Sequence, residues 1–93
     1  MNKQKLNIAR KKIDLLDKHI FNLIKKRTKI VKYMLKLKTK KSQIIDKKRM
    51  KSIFLNIKRK SIKNNIDPNI TGRIWKSMIW SYIDFQKRNF KKK

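Results

Sequence analysis

The sequence predicts an all-α protein: three helices per chain, the first unusually long, closing their core as an intertwined homodimeric helical bundle. Three observations lead there. From Leu6 to Leu37 apolar residues recur at helical spacing, at Leu6, Ala9, Ile13, Leu16, Ile20, Leu23, Ile24, Ile30, Val31, Met34 and Leu37, with no glycine or proline among them. No segment alternates apolar and polar residues as a half-buried strand does. The single proline and single glycine, Pro68 and Gly72, both stand near the start of the third helical stretch.

The first helix is expected over about 5–39. At 1.5 Å per residue it runs roughly 50 Å, whereas a compact globule of this chain length is about 30 Å across. One chain cannot cover a stripe of that length. A second copy alongside can, which predicts an obligate dimer. After the short loop "TKKSQII", Asp46 is a fitting N-cap for a second helix over about 46–63, which buries Met50, Ile53, Phe54, Ile57 and, at its margin, Ile62. In "NNIDPNI" Asp67 offers an N-cap and Pro68 a first helical residue, opening a third helix over about 68–90. Its apolar tracks are Ile70, Ile74, Met78, Phe85 and, beside them, Trp75, Ile79, Tyr82, so both tryptophans are expected to pack. Gly72 weakens this helix locally, and the closing "KRNFKKK" is expected to fray. All 93 residues read as one domain.

The chain carries 24 Lys and 6 Arg against 5 Asp and no Glu, a net charge of +25. That charge favours anionic partners such as nucleic acid, acidic lipid or a polyanionic metabolite, without choosing among them. With 15 Ile and 8 Asn but a single Ala and a single Val, the composition resembles a bias toward AT-rich codons more than selection for a basic surface. The absence of cysteine excludes disulfides and thiolate metal sites. No apolar run approaches the ~20 residues of a membrane span, and none follows the basic N-terminus as in a signal peptide, so a cytoplasmic protein with no membrane contact is expected.

Arg27 and Lys38 raise the functional question. Eleven residues apart, they return to nearly the same helical angle about 16 Å along the axis, in line with the apolar stripe. For any one lysine among so many, laying its methylenes on the core with its head in water is the ordinary arrangement. Arginine is scarcer, and Arg10, Arg27 and Arg49 each sit against an apolar stripe. Guanidinium groups stay charged when desolvated and grip carboxylates with two parallel hydrogen bonds, which suits a small dicarboxylate in a dry cavity. Arg10 lies about 25 Å from Arg27 along the helix, too far to share a small ligand within one chain, but an antiparallel partner helix could bring it to the partner's site. The usual catalytic groups are missing: His19 is the one histidine and reads as a surface residue, and Asp14 and Asp17 merely share a turn of helix one. With no metal ligands, nucleophile or cofactor motif, catalysis is left to positioning and electrostatics.

The segment "ARKKIDLLDKHIFNLIKKR" resembles the opening "R..ID.LD..L..LL..R" of the all-helical AroQ class of chorismate mutases, which includes the mutase domain of bifunctional phenylalanine-pathway enzymes. Lys38 eleven residues on, "DKKR" at 46–49 in place of "D..R", and Gln86 late in the third helix complete the likeness, which covers about Leu6 to Phe90. Each piece alone is weak, and their order and spacing together are fairly specific.

The resemblance implies a cofactor-free enzyme of aromatic amino-acid biosynthesis, converting chorismate to prephenate in a homodimer with shared active sites. It also implies the roles. Arg10 would reach a substrate carboxylate in the partner's site and Arg27 the other carboxylate region in its own. Lys38 and Gln86 would donate to the ether oxygen, and Asp46 and Arg49 would border the ring and its hydroxyl. Two positions depart from the pattern. Met50 stands where many members carry a glutamate for the substrate hydroxyl, a task Asp46 can take. Tyr82 stands where a small hydroxyl residue is usual, and it either donates through its OH or crowds the pocket.

Two other classes compete. A basic nucleic-acid-binding helical protein would cluster its charge on one face, whereas lysine is spread over all three helices, so any such binding is expected to be nonspecific. A non-catalytic interaction module or membrane-surface peptide does not account for the arginines set against apolar stripes.

Overall fold

A computed structural model describes residues 2–92 and is helical almost throughout. Helix α1 spans Asn2–Leu37, a single 3₁₀ turn Lys41–Gln43, α2 Lys47–Lys63 and α3 Pro68–Asn89, with no strand among the described residues. The chain divides into two compact units, Met1–Lys32 and Tyr33–Lys93.

The described residues of the first unit are helix alone. Lysine, isoleucine and leucine dominate its sequence and neither glycine nor proline breaks it, so its backbone propensity is favourable overall. The Thr28 hydroxyl, which could compete with the helix, instead donates to Ile24 O at 2.8 Å, one turn back. None of the residues of α1 is buried. The stripe read from the sequence is present and largely exposed: Leu16 is 59 % exposed and Leu23 63 %.

The second unit is a helical hairpin of α2 on α3, with the last turn of α1 and the loop after it. Ile44, Ile79 and Ile83 form its buried centre, and Leu35, Met50, Phe54, Trp75 and Phe90 pack around them. Asp46 caps α2 by accepting the Arg49 N–H at 3.0 Å. At the other end Asn65 takes a left-handed φ of 56°, and the N–H groups of Asn65 and Ile66 bond back to the carbonyls of Ile62 and Ser61, which closes α2 in a Schellman turn. Asp67 then caps α3 through the Asn69 N–H, with Pro68 in the first turn. Near this bend the buried Ser61 hydroxyl meets Thr71 at 2.5 Å and Ile57 O at 2.6 Å, tying α2 to α3 with its polar capacity satisfied.

The buried face of α3 differs from the sequence expectation. It runs through Trp75, Ile79, Ile83 and Gln86 to Phe90, while Ile70 and Ile74 are more than half exposed. Trp75 packs against the core, but Trp80 is 45 % exposed, so only one tryptophan packs in the single chain. Ile62, expected at the margin of the α2 core face, is likewise exposed. Apolar residues occur around most of α3, so periodicity alone leaves its rotation open, and contact with α2 decides it.

Candidate active site

Helix α1 stops at Leu37, one residue short of Lys38, whose N–H closes a tighter turn onto Leu35 O at 3.2 Å. Lys38 therefore leaves the helix at the point where Leu35 fastens the chain to the hydrophobic centre. Its Nζ donates to Gln86 Oε1 at 2.6 Å, joining residues 48 apart in sequence. Gln86 is buried, 7 % exposed, on the inner face of α3, one turn beyond Ile83. Its Nε2 donates to Tyr82 O at a longer 3.3 Å. The amide is thereby oriented with its oxygen on the ammonium and its N–H group held by a bond weak enough to be exchanged.

Burial lowers the pKa of Lys38 below that of an ordinary lysine, and the negative charge of Asp46 offsets part of the shift. Asp46 thus has two tasks, capping α2 and setting the potential at the ammonium. Beside it lies a shallow, open depression lined also by Gln43, Lys41, Lys47 and Lys87, which includes neither Lys38 nor Gln86. The lysines make this surface attractive to an anion.

The hairpin unit therefore gathers Lys38, Gln86 and Asp46. Tyr82 lies half-buried one turn before Gln86, and Met50 is half-buried against the Ile44, Ile79 and Ile83 centre, where a thioether packs as an apolar group. The Arg49 side chain is exposed and its backbone N–H is engaged by Asp46, which leaves the guanidinium as its free-standing contribution. Arg10 and Arg27 are exposed residues of α1 within the first unit. Gln43 escaped the sequence reading. Its side-chain oxygen accepts the N–H groups of Thr39 and Lys40 at 2.8 and 2.9 Å, in the loop just after Lys38. The one signal in the sequence was a glutamine three residues after Lys40, the spacing at which a side chain reaches back to a helix start.

A cationic donor and an amide donor held together suit a reaction in which negative charge grows on one oxygen with no proton transfer. Among the described residues no group of His, Cys, Asp or Glu could hold a metal ion, and no helix is long and apolar enough to cross a membrane. A family model described as chorismate mutase type II matches residues 9–87, an interval that includes every candidate residue from Arg10 to Gln86. No curated protein and no solved structure is a significant match to the chain.

Proposed function

Since the chain belongs to the chorismate mutase type II family, and is thereby an enzyme that turns chorismate into prephenate, we propose that Lys38 and Gln86 are its catalytic donors. The observation that supports this most is the 2.6 Å bond from Lys38 Nζ to the buried Gln86 side chain. In the reaction the ether C–O bond breaks while a C–C bond forms within the same molecule, so no atom enters or leaves and no acid or base is required. Negative charge develops on the ether oxygen as the bond stretches. Lys38 has two further N–H donors to offer that oxygen while it stays on Gln86. Gln86 Nε2 can exchange its 3.3 Å bond to Tyr82 O for a bond to the substrate.

The ammonium needs to be charged but not fully hydrated. Partial burial supplies the second condition, and Asp46 defends the first. A donor already in place pays no reorganisation cost at the transition state, which is where such a group lowers the barrier. Arg27 grips one carboxylate region of the substrate and Arg10 of a second protomer grips the other, holding the compact conformer in which the two reacting ends meet. Asp46 accepts the ring hydroxyl, with Arg49, Met50 and Tyr82 bordering the ring. The enzyme is a cytoplasmic homodimer whose exposed α1 stripe is covered by the second copy.

Sharing of sites is tested by co-refolding two inactive variants, Arg10→Ala and Arg27→Ala. In a mixed dimer both defects fall in one site and the other is intact, so random pairing restores about a quarter of wild-type activity. Mixtures as inactive as either parent contradict a shared site.

A further inference from the structure

The loop after α1 decides where Lys38 stands, and a single side chain holds that loop. The peptide N–H groups of the two residues after Lys38 both end on Gln43 Oε1, Thr39 N at 2.8 Å and Lys40 N at 2.9 Å. The Thr39 hydroxyl approaches the same oxygen at 3.4 Å. Gln43 can reach back because Lys41–Gln43 is a 3₁₀ turn, closed by Gln43 N–H on Lys40 O and by Ile44 N–H on Lys41 O, each at 3.1 Å. Directly after it comes Ile44, only 5 % exposed, seated on the same hydrophobic centre as Leu35. Lys38 thus lies between two anchors, Leu35 before it and Ile44 after it, and the Gln43 oxygen fixes the direction of the chain between them.

We propose that Gln43 is a positioning residue for catalysis, acting through the Lys38 side chain. The proposal rests on the reading of Lys38 as a catalytic donor. Thr39, Lys40 and Gln43 are all exposed. Water can therefore satisfy the two N–H groups once the glutamine oxygen is gone, and the fold loses little. What water does not restore is direction, because it does not tie the two peptide units to the turn. The Lys38 ammonium, reaching Gln86 across the hairpin, would then sample positions away from the line to the ether oxygen. Displacement of a donor acts on the transition state more than on substrate binding, so the effect belongs in kcat.

The test measures kcat, KM and melting temperature for Gln43→Leu and Gln43→Glu, each in the wild-type and the Lys38→Ala background. Gln43→Leu lowers kcat about tenfold while KM changes less than about threefold and the melting curve moves little. Gln43→Glu keeps an oxygen for the same two N–H groups and restores kcat to within about threefold of wild type. In the Lys38→Ala background Gln43→Leu causes no further fall. Should Gln43→Leu not fold, Gln43→Asn, too short to hold both N–H groups, carries the same expectation. An unchanged kcat in Gln43→Leu, a Gln43→Glu as impaired as Gln43→Leu, or an equal fall without Lys38 overturns the proposal. If Lys38→Ala alone leaves kcat intact, the donor reading fails on that measurement and takes the Gln43 role with it. If Lys38→Ala is slow and Gln43→Leu is not, only the role of Gln43 falls.

Discussion

At Lys38 burial and charge oppose one another, and burial prevails: the ammonium titrates below the ordinary lysine value of 10.5 despite Asp46. With Lys38 as the proposed donor, the free enzyme is expected to lose it at a lower pH than an ordinary lysine would be lost. A bound substrate brings two carboxylates, which raise the pKa again. The alkaline limb of kcat/KM, which reports the free enzyme, is expected at lower pH than the limb of kcat, which reports the complex. A pH–rate profile in which the two limbs coincide contradicts a desolvated Lys38 in the site. Stability moves the other way. Between the lowered folded-state value and 10.5 the unfolded chain holds more protons on this lysine, so its contribution to stability rises with pH across that window while the rate falls. Lys38 and Gln86 were legible as a pair only through the family spacing, since nothing in their own neighbours marks residues 48 apart as partners. For Gln43 the spacing from Lys40 was the one signal, and a weak one, because the 3₁₀ turn it closes is begun by Lys40 and not by the serine or threonine of a standard helix start.

The helices themselves follow from local chemistry that is visible in the sequence. Asp46, Asp67 and Pro68 open α2 and α3 as capping residues should. The end of α2 rests on Asn65, one of the few non-glycine residue types that enters the left-handed region at small cost. Less visible was the rotation of α3, where Ile83 occupies the core in place of the neighbouring Tyr82 and Phe85 that the apolar tracks favoured. Gly72 lies inside α3 with nothing within 4 Å of where a Cβ would stand. Gly72→Ala is therefore expected to stabilise the protein by about 0.5–1 kcal/mol, by raising helix propensity and narrowing the unfolded ensemble. Urea or thermal unfolding measures this, and a loss of stability contradicts an open position on the helix surface.

Over the whole molecule charge dominates: 30 basic side chains face 5 acidic ones. Self-repulsion at this density opposes compaction, so the melting temperature is expected to rise with moderate added salt, as counterions screen the lysines. A flat or falling trend contradicts it. The same field draws in the dianionic substrate, and any nucleic acid it attracts is expected to dissociate steeply with salt and without sequence preference. The exposed apolar stripe of α1 was legible from residue spacing. In the proposed dimer a second copy would cover it and would also supply Arg10.

The most direct test of Lys38 as the catalytic donor follows the loss of chorismate absorbance with purified protein at moderate salt, for wild type and Lys38→Ala together. Saturable turnover by the wild type is expected, with a kcat lower by about a hundredfold or more in the variant. A folded wild-type protein that leaves chorismate untouched, or a Lys38→Ala variant that turns it over at the wild-type rate, contradicts it.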